Sequence, residues 1–143
     1  MRIRLGRRGD YAVRAVLHLA RAHGGNRQKA REIASKMEIP ATYLPQILGD
    51  LVRAGFVTSV AGPEGGYELS REPGELSLLE VVVAVDEPSP DECILSGGPC
   101  HWASACAVHE PWVRAKEALL SELAATSFES LAADDARLER QAD

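Results

Sequence analysis

From position 12 the apolar residues Ala12, Ala15, Val16, Leu19 and Ala20 return at intervals of three and four, the stripe of an amphipathic helix. The spacing predicts a first helix over 10–23, with Asp10 as its N-cap and Gly24-Gly25 ending it. A shorter set, Ala30, Ile33, Ala34 and Met37, predicts a second helix. After the turn Glu38-Ile39-Pro40, the residues Leu44, Ile47, Leu48 and Leu51 predict a third, closed by Gly55 at a C-terminal cap. Two short helices across a tight turn are the signature of a helix-turn-helix. The period then changes: 56–60 and 67–70 read as strands flanking Ala61-Gly62-Pro63-Glu64-Gly65-Gly66, a hairpin placed as a wing.

The apolar run 78–85 by itself fits a buried strand or a helix. Ser77, with Glu80 three residues on, forms a capping box and decides for helix. Residues 87–109 carry Pro, Gly and Cys without periodicity, whereas Trp112, Ala115, Leu119, Leu120 and Leu123 form another helical stripe over 112–123. A further turn of helix is expected over 126–131. Too little chain remains to cover the Trp112 stripe, so a second subunit is expected to do it. The fold class is thus mainly α with a small β wing. A winged helix-turn-helix domain is expected over 1–86, a cysteine-rich loop over 87–110, a long dimerisation helix and turn over 111–133, and a polar, frayed tail over 134–143.

Net charge changes the picture only once the chain is split. The total of −5 hides a first part, 1–60, with 11 basic against 4 acidic residues, and a remainder with 5 against 17. The first part is suited to phosphate and the second would repel it. No stretch approaches the roughly 20 consecutive apolar residues of a membrane span, and 1–8 lack the apolar region of a signal peptide, so a cytoplasmic location is expected. No phosphate-binding glycine loop, Ser/His/Asp set or paired-carboxylate motif is present, and an enzyme is not expected.

All three cysteines, Cys93, Cys100 and Cys106, fall in the aperiodic segment, with Gly97-Gly98-Pro99 between the first two. Iron-sulfur clusters need several thiolates converging on one point, and a glycine-rich loop wraps without side-chain clashes. Structural zinc and a metal-free thiol switch use the same residue types and stay open as alternatives. His101 adjoins Cys100 too closely to share a centre with it, and His18 and His23 read as surface residues.

The ordered set Ala30-Arg31-Glu32-Ile33-Ala34, Ile39-Pro40-Ala41-Thr42-Tyr43-Leu44, 51–57 and Gly62-Pro63-Glu64-Gly65-Gly66-Tyr67-Glu68-Leu69 resembles the Rrf-two family of bacterial winged-helix regulators. The likeness continues through 78–86, the three cysteines and the Trp112 helix to Thr126-Ser127-Phe128-Glu129-Ser130-Leu131, nearly the whole chain in the family's order.

The resemblance implies a homodimer on a palindromic double-stranded DNA operator, with crossed C-terminal helices, recognition helices in successive major grooves and wings toward the minor grooves. It further implies an iron-sulfur cluster on the three cysteines that senses redox state, nitric oxide or iron-sulfur supply. His109 matches the histidine with which some members close a 2Fe-2S site, the form favoured here. Asp10 matches an aspartate that others supply from the opposite subunit to a 4Fe-4S site. The expected DNA contacts are Thr42, Tyr43 and Gln46 on the recognition helix, Arg2, Arg4, Arg7 and Arg8 at the N-terminus, Lys29, Arg31 and Arg53 around it, and Gly62, Gly65 and Gly66 in the wing. Two positions depart from the pattern. Pro45 replaces an acidic residue, and is tolerable only in a helix's first turn; Ala61 replaces a basic residue before the wing's Gly-Pro.

Overall fold

The computed structural model describes residues 3–86, 92–95 and 106–143. Its elements run α1 (Arg7–Arg21), α2 (Ala30–Lys36), α3 (Leu44–Arg53), β1 (Val57–Val60), β2 (Gly66–Leu69), a single 3-10 turn (Pro73–Glu75), α4 (Leu78–Val85), α5 (His109–Ala125) and α6 (Phe128–Ala142). This is the expected mainly α fold with a small wing. Among the described residues no helix is long and apolar enough to cross a membrane.

Helix α1 begins three residues before the expected cap. Gly6 is the N-cap, and its N–H donates to Asp86 Oδ2 at 3.0 Å. Asp10 donates its own N–H to Gly6 O as an ordinary helical residue, while its carboxylate accepts from Arg14 Nε at 2.8 Å and Nη2 at 3.0 Å. The long-range carboxylate of Asp86 thus takes the place of the local one, which turns to its i+4 neighbour. Ala12, Ala15, Val16, Leu19 and Ala20 of α1 are buried as their spacing requires.

Helix α3 carries Pro45 at its second position, where the missing N–H would have no intrahelical partner. It ends in a Schellman motif: Phe56 N bonds Leu51 O and Gly55 N bonds Val52 O, each at 3.0 Å, with Gly55 at φ +83°. That motif turns the chain directly into β1. The wing is antiparallel, pairing Val57 with Leu69 through Val60 with Gly66. Gln28, just before α2, adds a bridge to Tyr67 with bonds of 2.9 and 2.8 Å, so the wing is stitched to the helical layer on its inner edge. At Gly65 an added Cβ would lie 2.7 Å from Ala61 O, so only glycine permits the hairpin to reverse there.

Ser77 caps α4 by accepting from Glu80 N at 3.1 Å, and Glu80 returns the bond by accepting from Ser77 N at 2.8 Å, the capping box read from sequence. Helix α5 starts at His109, inside the segment expected to be loop, and buries none of its 17 residues. The chain then re-enters the domain. Leu78 N bonds Thr126 O and Phe128 N bonds Leu76 O, which sets the fully buried Phe128 ring into the core.

Residues 134–143, expected as a frayed tail, instead complete α6 through Ala142. Leu131 and Ala132 pack on the core, and Arg21 of α1 holds Asp135 at 3.0 Å and Glu139 at 2.6 Å. The polar residues are the outer face of a docked helix whose alanine-rich inner side gives little periodic signal.

Phe128→Ala should lower unfolding stability by about 3–5 kcal/mol, whereas Leu138→Ala, at a side chain 55 % exposed, should leave the denaturation midpoint almost unchanged. The Glu139 carboxyl is held below its ordinary value of 4.5 by a hydrogen bond from Arg21, then by the charges of Arg21 and Lys36. A depressed folded value gives stability that is full above the unfolded pKa and lost as pH falls through the folded one. Protection of the α6 amides, taken relative to their intrinsic exchange rates, should therefore fall as pH drops below 4.5, and Arg21→Gln should remove that pH dependence.

Candidate nucleic-acid interface and cysteine segment

The turn between α2 and α3 brings one residue, Glu38, to a positive φ of 54°, and Ile39 buries behind it. This turn leaves Thr42, Tyr43 and Gln46 exposed at the start of α3, while Leu44, Ile47, Leu48 and Leu51 anchor the opposite side. No side chain caps α3; Leu44 N–H bonds Pro40 O and Ile47 N–H bonds Tyr43 O, each at 3.3 Å, and Pro45 between them has no N–H to satisfy.

Tyr43 is held from two sides. Arg7 lies over its ring with the guanidinium carbon 5.5 Å from the centroid and donates Nη1 to the phenol oxygen at 3.0 Å. The Tyr11 ring stands 5.9 Å away, tilted by 45°. The geometry combines a cation over an aromatic face with a charge-assisted hydrogen bond, and presets the ring at the mouth of α3.

The other expected contacts that fall in the described residues form four groups. Arg4 and Arg31 are exposed and have no ion-pair partner among the described residues, the state of a cation available to phosphate. Lys29 is committed to the wing, donating Nζ to Gly62 O at 3.3 Å and Pro63 O at 2.9 Å. Arg8 and Arg53 are both paired with Asp50, whose side chain is only 14 % exposed. Gly62 (φ +99°), Gly65 and Gly66 (φ +140°) form the tip and inner edge of the wing, with Gly66 pressed against Gln28 O. Arg2 lies outside the described residues.

Asp50, Tyr11 and Asp86 were not singled out from the sequence. The i,i+3 spacing of Asp50 and Arg53 was a usable signal for one pair. Nothing local announces that Arg8 or Asp86 meets a residue tens of positions away.

Of the expected metal ligands, Cys93 and Cys106 are half-buried, and Cys100 lies outside the described residues. His109 N bonds Cys106 O at 3.2 Å, so the thiol and the imidazole belong to one turn at the head of α5. Asp10 sits on α1 with both carboxylate oxygens taken by Arg14. Among the described residues no three metal-ligating side chains gather. His18 is half-buried, 3.0 Å from Gln28 Oε1, and His23 meets Glu72 at 3.2 Å.

A helix-turn-helix with an exposed third-helix N-terminus, a glycine-tipped hairpin braced beside it and exposed cations around it defines a winged-helix DNA-binding protein. The chain belongs to the Rrf2 family of iron-dependent transcriptional regulators, whose model matches residues 5–134. It is 35 % identical to the transcriptional regulator IscR of Xenorhabdus nematophila over 90 % of this chain and 79 % of that one. It is similar in structure to CymR, the global cysteine regulator of B. subtilis, with a TM-score of 0.78 and 28 % identity over 92 % of this chain and 98 % of that one. It is also similar to the oxidized form of Staphylococcus aureus CymR, with a TM-score of 0.74 and 26 % identity over 91 % and 96 % of the two chains. These relatives are transcriptional regulators, and the chain is one rather than an enzyme.

Arg31→Ala should weaken DNA binding on every sequence tested and lower the slope of log affinity against log salt by about one. Arg53→Ala, whose guanidinium is already paired with Asp50, should change that slope less; titrations at several salt concentrations compare the two.

Proposed function

We propose that the chain is a homodimeric regulator that binds a palindromic operator and senses redox state, nitric oxide or iron-sulfur supply through a cluster on Cys93, Cys100, Cys106 and His109. The observation that carries this reading is where the cysteines fall. Their segment joins α4, the last helix of the winged domain, to α5, with Cys106 and His109 within one turn at its far end. The donor set fits: three soft thiolates and one imidazole suit a 2Fe-2S group, and the half-burial of Cys93, Cys106 and His109 suits shelter from water.

A bound cluster supplies a redox couple whose potential an imidazole ligand raises relative to thiolate alone. The chain's own residues do the rest. The thiols give up their protons to bind, and His109, fixed at the start of α5, ties that helix's orientation to ligation. Asp10 supports a 4Fe-4S alternative less well, because Arg14 occupies both of its oxygens. Helix α5 presents Trp112, Leu119, Leu120 and Leu123 with none of them buried, and a second copy of the chain is the natural cover for that face. A cytoplasmic location suits both the DNA target and thiols kept reduced. The likeness to CymR supports a second reading, a cluster-free thiol switch, which iron and sulfide content separates from the first.

Protein purified without oxygen is expected to be coloured and to contain iron with equal acid-labile sulfide. Cys93→Ala, Cys100→Ala and Cys106→Ala should each lose both while circular dichroism shows an intact fold. Wild-type iron and sulfide in all three would exclude a cluster held by these cysteines. His109→Ala should alter the absorption spectrum or speed cluster loss, and Asp10→Asn should do neither; the reverse pattern would transfer the fourth ligand to Asp10.

A further inference from the structure

Arg8 stands out among the basic residues of the DNA-facing half because its guanidinium is committed in two directions at once. Nε donates to Val85 O, in the last residue of α4, at 3.2 Å, while Nη2 pairs with Asp50 on α3. Asp50 also receives Arg53, so its carboxylate is engaged twice and largely sheltered. Two residues before Arg8, Gly6 donates its N–H to Asp86 Oδ2 at 3.0 Å. The approach is close enough that a Cβ on Gly6 would lie 3.1 Å from Asp86 Cγ, so the contact depends on glycine. The end of α4 therefore grips the start of α1 through one carboxylate, and α1 reaches back past the end of α4 to α3 through one arginine.

We propose that Arg8 is a positioning residue that ties the recognition helix α3 to the last turn of α4. DNA binding by α3 then follows whatever happens in the cysteine-bearing segment that begins directly after Asp86. The nature of that signal rests on the proposed function; the tie itself does not. A guanidinium suits the task, because its planar fork presents Nε and Nη2 as separate donors in divergent directions, whereas an ammonium donates from a single nitrogen. The tie transmits a signal only to the extent that the two signalling states differ in DNA affinity, so the quantity to measure is that difference.

The test is the ratio of operator affinities between cluster-loaded and cluster-free protein, measured for wild type, Arg8→Gln and Arg8→Lys. For wild type a ratio on the order of tenfold is expected. Arg8→Gln should bring it toward one, with cluster absorption retained, and Arg8→Lys should fail to restore it. If Arg8 were only a phosphate contact, Arg8→Gln would weaken both states equally and keep the ratio, and Arg8→Lys would recover the affinity; that pattern overturns the proposal. A wild-type ratio of one also overturns it, and with full iron and sulfide content it leaves the cluster reading intact. If wild-type protein holds no iron or sulfide, the cluster reading fails by that assay alone. The same ratio is then taken between thiol-reduced and thiol-oxidised protein, with the same expectations for each variant.

Discussion

The small-residue face of α1 sets the spacing of the helices around it. Ala12, Ala15 and Ala20 alternate with Val16 and Leu19 along its buried side, and α3, α4 and α6 all pack against that helix. Alanine lets a neighbouring helix approach until backbone and methyl groups meet, and added volume there would force several helices apart together. Because α1 is the common neighbour, its ends become junctions. The N-terminal end meets Asp86 and supplies Arg8 to α3; the C-terminal end supplies Arg21 to α6. The chain leaving it passes Gln28, which pairs with the wing at Tyr67.

The charge division along the chain takes on a second meaning in three dimensions. Much of the basic first part is spent on ion pairs within the chain, where Arg14 meets Asp10, Arg27 meets Glu68, and Arg8 and Arg53 share Asp50. Exposed ion pairs of this kind add little stability each, and their effect is mainly to fix geometry. Among the described residues Arg4 and Arg31 have no ion-pair partner, and Arg7 is placed over Tyr43 at the start of α3. The acidic second part is used in the same way, since Asp135 and Glu139 hold α6 on α1. A surface that looks uniformly cationic in sequence is thus a few open cations set among braced ones.

Signal transfer on the proposed reading needs no long wire. The cysteine segment is flanked by α4 and α5, and α4 ends against α1. A change in how that segment is held bears first on the orientation of α5, the helix a partner would cover, and on the last turn of α4. Either route alters how two recognition helices are presented to DNA, the one through the spacing of subunits and the other within a subunit.

Sequence alone determined whatever depends on short-range regularity. The buried stripes of α1 and α3, the Gly55 stop, the glycine-tipped wing and the Ser77–Glu80 capping box all follow from spacings within a turn or a hairpin. Tertiary structure decided the rest, because the competing partners lie far apart in the chain. Asp86 displaced Asp10 as the group that holds the start of α1, and freed Asp10 for Arg14. Phe128 and Arg21 turned an apparent polar tail into α6. Asp50 converted Arg8 from an apparent surface cation into a bridge between helices. In each case local pattern left a polar group with more than one possible partner, and only the packed chain determined which partner lay within hydrogen-bonding reach.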